Sequence, residues 1–110
     1  MMEWDLFYLP EAVRDLKRLD HSVAVQVQKT IRRVQKNPYP KQEGGYGTPL
    51  GNRMGIDLTG CMKIKFRRIG IRVVYKLMQQ DGVMKIIVVS ARADNEVYRL
   101  AEARLKNNDL

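Results

Sequence analysis

The stretch Cys61-Met62-Lys63-Ile64-Lys65-Phe66, followed after a short break by Gly70-Ile71-Arg72-Val73-Val74-Tyr75, decides how the chain is read. In its first half, apolar and basic residues alternate. A β-strand sends successive side chains to opposite faces, so Met62, Ile64 and Phe66 share one face and Lys63 and Lys65 the other. The second half supplies a matching apolar set, Ile71, Val73 and Tyr75. Both sets reach a core only if apolar residues pair with apolar residues. With Arg68 and Ile69 at the turn, Phe66 falls opposite Ile71, Ile64 opposite Val73, and Lys65 opposite Arg72. A slip of one residue would mismatch the two faces. The register therefore predicts that Lys63, Lys65 and Arg72 share one face, with Arg67 on the same face nearer the turn. Like charges opposite each other in a sheet are destabilising. No Asp or Glu occurs between residues 58 and 80 to neutralise them. An anion-binding face accounts for this pattern; the solvated face of a half-buried sheet is the alternative.

Outward from this hairpin, the elements follow hydrophobic period. Residues 2–8 alternate, with Trp4, Leu6 and Tyr8 on one side, and predict a first strand. Pro10 suits the first turn of a helix over residues 10–19, whose Val13, Leu16 and Leu19 face inward. After the break Asp20-His21-Ser22, with Ser22 as N-cap, residues 23–36 carry the clearest helical stripe: Val23, Val27, Ile31 and Val34. So short a link makes the two helices a hairpin. Asn37-Pro38-Tyr39-Pro40 ends the second helix. Residues 40–52, with four glycines, read as one long loop, and residues 54–58 as a short strand. Strands follow at 61–67, 70–78 and 83–90, with Asp81-Gly82 marking a hairpin turn. A last helix is expected over 96–107, capped by Asp94 and Asn95, with Val97, Leu100, Ala101 and Leu105 inward. Tyr98, one residue after Val97, is expected to point away from that stripe. The expected fold is α+β: an N-terminal strand and helix hairpin packed on a mostly antiparallel four- to five-stranded sheet, with a short C-terminal helix.

The 110 residues suit one domain, 1–110, and the 20 Lys and Arg against 12 Asp and Glu leave a net charge of +8. For so small a chain, that charge points first to nucleic acid. One cysteine, Cys61, excludes an intramolecular disulfide and fits a reducing cytoplasm. No apolar run approaches a membrane span, and the start lacks a signal-peptide pattern. His21 is the only histidine, which excludes a nuclease built on a histidine pair. One Cys, one His and no tight carboxylate cluster give no metal-ligand set. The glycines of residues 44–51 lack the Lys-Ser/Thr of a phosphate-binding loop. What remains is phosphate chemistry run by Lys, Arg and Tyr without a cofactor. Arg grips phosphate oxygens two at a time. Lysines crowded by other cations are pushed toward the neutral form, which accepts protons. Such donors stabilise a pentacoordinate phosphorane, and RNA brings its own nucleophile, the 2′-hydroxyl.

Lys-X-Lys at 63–65, Gly-X-Arg-Val-Val-Tyr at 70–75, and Arg92 followed by Glu96-Val97-Tyr98 resemble the RelE branch of the RelE/ParE toxin superfamily. The resemblance extends over nearly the whole chain. It implies a type II toxin–antitoxin toxin: an mRNA interferase that cleaves mRNA in the ribosomal A site without metal, leaving a 2′,3′-cyclic phosphate. It implies Lys63, Lys65, Arg72, Arg92 and Tyr98 as the catalytic set. In that scheme Lys65 is the general base, and Lys63 and Arg72 stabilise the transition state. Arg92 contacts the leaving oxygen, and Tyr98 orients a neighbour or stacks on a base. The implied partners are the ribosome with its mRNA and a cognate antitoxin, in a cytoplasmic hetero-oligomer. Arg53, Arg67 and the cationic helix surface of Lys29, Arg32, Arg33 and Lys36 are candidate RNA contacts, against the plainer reading of solvated charge. A ParE-like toxin that poisons DNA gyrase, or a basic nucleic-acid-binding module without catalysis, are the alternatives.

Overall fold

The computed structural model describes residues 4–53 and 55–110. Its elements run β1 (Asp5–Tyr8), α1 (Pro10–Arg18), α2 (His21–Gln35), a 3₁₀ turn (Lys41–Glu43), β2 (Thr48–Arg53), β3 (Ile56–Phe66), β4 (Ile71–Met78), β5 (Val83–Ser90) and α3 (Asp94–Asn107). The strands form one sheet in the order β1-β5-β4-β3-β2. β2 to β5 are antiparallel to their neighbours, and β1 runs parallel to β5. This is the α+β arrangement expected from the sequence, with five strands.

Between β3 and β4, Phe66 pairs with Ile71, Ile64 with Val73, and Lys65 with Arg72. The rule that apolar residues meet apolar residues thus selects the observed register. β4 adds something the pattern alone did not: Val73, Val74 and Tyr75 are buried in succession. Adjacent strand residues face opposite ways, so both faces of the sheet are covered. One face carries Met62, Val73 and Tyr75. The Tyr75 hydroxyl donates to the Pro38 carbonyl just beyond α2, at 2.9 Å, and α2 buries Val27, Ile31 and Val34 in the same core cluster. The other face carries Lys63, Val74 and Lys76, and α3 crosses it: Lys63 bonds Tyr98 and Lys76 bonds the Leu110 carbonyl just past the helix.

The region expected to be one long loop contains β2. Thr48 pairs with Lys63 and Pro49 with Met62, then the register shifts before Gly51 meets Leu58. Proline and glycine are tolerated on an edge strand and at a bulge, which is why their presence hid it. The two short strands expected at 54–58 and 61–67 are one, β3. Gly47 is held by contact: a Cβ there would lie 2.2 Å from the Tyr75 hydroxyl oxygen. That approach lets the chain pass over Tyr75 into β2.

Three local expectations are corrected. Asp20, not Ser22, caps α2; its carboxylate accepts from the Ser22 backbone N–H at 3.2 Å. Val13 is exposed, and Ala12 and Asp15 occupy the buried side of α1 instead. The buried Asp15 follows from the sheet edge. β1 stops opposite Ile86, so β5 continues past it with an unpaired edge. Asp15 accepts from the Val89 N–H at 3.0 Å, and Arg104 of α3 donates to the Ile87 carbonyl at 2.9 Å. Arg104 and Asp15 are themselves paired twice, at 2.6 and 3.0 Å. The pair satisfies buried backbone groups that would otherwise be orphaned. Finally, α3 begins at Asp94 with Ala93 as N-cap and no side-chain cap. The Asp94 carboxylate is engaged elsewhere.

Candidate functional site

Two cross-strand rows carry the basic residues. Lys63 lies between Thr48 of β2 and Val74 of β4, and Val74 in turn pairs with Val88. One row further, Lys65 pairs with Arg72, and Arg72 with Ser90 of β5. Side chains in line across antiparallel strands share a face. Lys63, Lys65 and Arg72 are therefore gathered on one face, as their register predicts. Arg92 follows two residues after Ser90, in the turn that leads into α3. Its N–H is held by the Ser90 hydroxyl at 3.1 Å.

α3 supplies the rest. Tyr98 receives a hydrogen bond from the Lys63 ammonium at 3.1 Å. It is buried, with 5% of its surface exposed, contrary to the expectation that it points away from the apolar stripe. The reason is that α3 buries a wide strip, Val97, Tyr98, Ala101, Arg104 and Leu105, because it lies across a sheet rather than against one helix. Its ring is closed to a stacking base; its hydroxyl orients Lys63.

Arg72 is doubly held. Its Nε donates to Asp94 Oδ1, and its Nη1 donates to the Arg92 carbonyl at 2.8 Å. The expectation that nothing neutralises the cations is therefore corrected. The counterion comes from 22 residues further along the chain, which a search of neighbouring sequence cannot find. Burial alone would raise the Asp94 carboxyl. The hydrogen bond and charge of Arg72, with Lys63 and Lys65 behind them, hold it below the ordinary aspartate value. Lys65 is exposed and carries no hydrogen bond or ion pair among the described residues. The Arg92 side chain is also exposed, beside a groove of about 320 Å³ that Arg18 and Leu100 also line.

The remaining basic candidates are not part of this group. Arg67 is exposed in the turn between β3 and β4. Lys29, Arg32, Arg33 and Lys36 are exposed along α2, which covers the opposite face of the sheet. The Arg53 side chain lies outside the described residues. Sequence reasoning missed Asp94 as a site residue; its only signal was its place two residues after Arg92.

An α+β domain with lysine and arginine gathered on a sheet face, closed by a C-terminal helix, has the fold of a bacterial toxin class. Residues 6–96 match the family model described as ParE toxin of type II toxin-antitoxin system, parDE. The chain belongs to this toxin family, within the RelE/ParE superfamily, and is RelE-like. It is 28% identical over 104 residues to the mRNA interferase toxin RelE of Escherichia coli K12, covering 94% of this chain and 99% of the relative. An arginine-to-alanine double mutant of E. coli toxin RelE in the free state superposes with a TM-score of 0.72 at 26% identity, covering 94% of this chain and 99% of that one. The same toxin in complex with a peptide of antitoxin RelB gives 0.67 at 27% identity, covering 91% and 95%.

Proposed function

We propose that the chain is a ribosome-dependent endoribonuclease that cuts mRNA in the A site, with Lys63, Lys65, Arg72, Arg92 and Tyr98 as its working set. The observation that carries this reading is the gathering of Lys63, Lys65 and Arg72 on one sheet face, bordered by Arg92 and backed by Tyr98. The mRNA interferase name of the relative supports it.

The chemistry follows from that set. The RNA 2′-oxygen attacks the adjacent phosphorus while Lys65, which has no hydrogen bond or ion pair among the described residues, takes its proton. Charge builds on the phosphorane oxygens. Arg72 and Lys63 stabilise it, with Lys63 aimed by the Tyr98 hydroxyl. The P–O5′ bond breaks with Arg92 facing the departing oxygen, which takes up a proton from water, and Lys65 returns its proton to solvent. The products are a 2′,3′-cyclic phosphate and a 5′-hydroxyl. The ribosome supplies most of the binding. Exposed Arg67, Lys29, Arg32, Arg33 and Lys36, together with Arg53, are proposed contacts to RNA backbone, where such contacts give affinity without sequence choice.

The partner is a cognate antitoxin in a hetero-oligomer, as the solved toxin–antitoxin complexes of relatives support. It meets the basic face with acidic or extended segments. Among the described residues no helix is long and apolar enough to cross a membrane, and the proposed setting is the cytoplasm.

Primer extension on mRNA in a translating extract tests the proposal. Wild-type protein gives discrete stops at A-site codons, and Lys65→Ala or Arg72→Ala removes them. Intact mRNA together with gyrase–DNA cleavage complexes would replace this reading by gyrase poisoning, the ParE-like alternative.

A further inference from the structure

We infer that Asp94 is a positioning residue: it holds Arg72 in the free protein and yields it to a phosphodiester of the RNA. The inference rests on the RNA-cleavage reading above for the identity of that phosphate, and on the geometry of the Arg72 guanidinium for the rest.

A guanidinium grips two phosphate oxygens through a pair of parallel N–H groups. One such pair in Arg72 is Nε with Nη2. Asp94 occupies Nε, and the Arg92 carbonyl occupies Nη1. Nη2 has no hydrogen bond among the described residues. Along that edge phosphate therefore meets half of a fork, and a two-point grip on it requires Asp94 to leave.

The surroundings make that exchange feasible. Asp94 is the first residue of α3. Its side chain is 39% exposed and that of Arg72 20%. Water therefore reaches both partners, and a half-exposed pair is weak. Once released, the carboxylate remains beside the uncapped N–H groups of the helix start, where negative charge is favoured. Phosphate replaces it with equal or greater charge among Lys63, Lys65 and Arg72. The resting protein thus keeps Arg72 ordered and partly neutralised, which limits its hold on bulk anions. The substrate phosphate takes over the vacated edge without Arg72 having to search for its position.

The test compares wild type with Asp94→Asn, which keeps the shape and removes the charge. Inorganic phosphate is titrated while the Arg72 Nε–H resonance is followed by NMR. In wild type, phosphate moves that resonance toward its position in the variant. Asp94→Asn binds phosphate about three- to fivefold more tightly, the factor by which a half-exposed ion pair competes. In the mRNA cleavage assay its KM falls by a similar factor and kcat does not rise. Asp94→Ser, which suits a helix start, serves as second variant if the first fails to fold. Phosphate affinity that is unchanged or weaker in a folded variant overturns the inference and makes Asp94 a structural tether. The two readings fail separately: tighter phosphate binding without any mRNA cleavage keeps the exchange and removes the nuclease, and cleavage without tighter binding does the reverse.

Discussion

Arg104 and Arg72 each pair with an aspartate, one near each end of α3, yet their surroundings give them different duties. The Arg104–Asp15 pair is nearly closed to solvent, with side chains 10% and 7% exposed, while Arg72–Asp94 stands at 20% and 39%. Arg104 uses its spare donor on the Ile87 carbonyl, and Asp15 uses its spare acceptor on the Val89 N–H. Four hydrogen bonds thus tie this pair to itself and to the β5 backbone. Arg72 ends with an Nη2 that has no hydrogen bond among the described residues, beside Lys65. The same chemical pair is a fixed clamp where it completes a sheet edge and an exchangeable one where it borders cations. Burial and the number of hydrogen bonds to the sheet backbone distinguish the two, not residue type.

The largest effect that separates them is on stability. Asp15→Ala leaves Arg104 charged, buried and unpaired, and costs about 3–5 kcal/mol. Chemical denaturation measures it. The double variant Asp15→Leu with Arg104→Met recovers part of that loss, because neither charge is then stranded. Equal stability of Asp15→Ala and wild type would erase the distinction.

Arg72→Ala is expected to act on chemistry instead. mRNA cleavage falls about 10²–10³-fold, the usual loss when a donor to developing charge is removed. Its thermal midpoint stays close to wild type, because Asp94 is left near water. A large loss of stability in Arg72→Ala would make both pairs structural.

The smallest effect is with pH. The Asp94 carboxyl lies below its ordinary value of 3.8. A lowered value in the folded state means the pair stabilises fully above that pH and fades as pH falls through the lower, folded-state value. The stability difference between wild type and Asp94→Asn is therefore flat from neutral pH down to about 4 and closes below it, with a span under about 1 kcal/mol. A difference that grows on acidification would contradict the lowered carboxyl.

The contrast also explains what the amino-acid pattern could and could not reveal. The β3–β4 register was legible because a period-two pattern on both strands leaves only one pairing that buries Met62, Ile64, Val73 and Tyr75 together. The basic face came with it. β2 was not legible, because Pro49 and Gly51 break the strand pattern on an edge where pairing tolerates them. Both aspartate partners were missed for a different reason: pairing across 22 and 89 residues is a property of the folded chain. Asp15 still left a trace, as a charge on the helix side that faces inward beside Ala12. Tyr98 was misjudged because a stripe counted for one contact line is narrower than the surface a sheet covers.

The nature of the cut ends tests the central claim most directly, that the lysines and arginine of the β3–β4 face cleave RNA. mRNA from a translating reaction containing the protein is mapped for end groups. The account predicts 2′,3′-cyclic phosphate upstream and 5′-hydroxyl downstream of each A-site cut, both absent with Lys65→Ala and Arg72→Ala and retained with a surface variant outside the proposed contacts, Lys17→Ala. Uncut mRNA with wild-type protein, or equal cutting by Arg72→Ala, would contradict it.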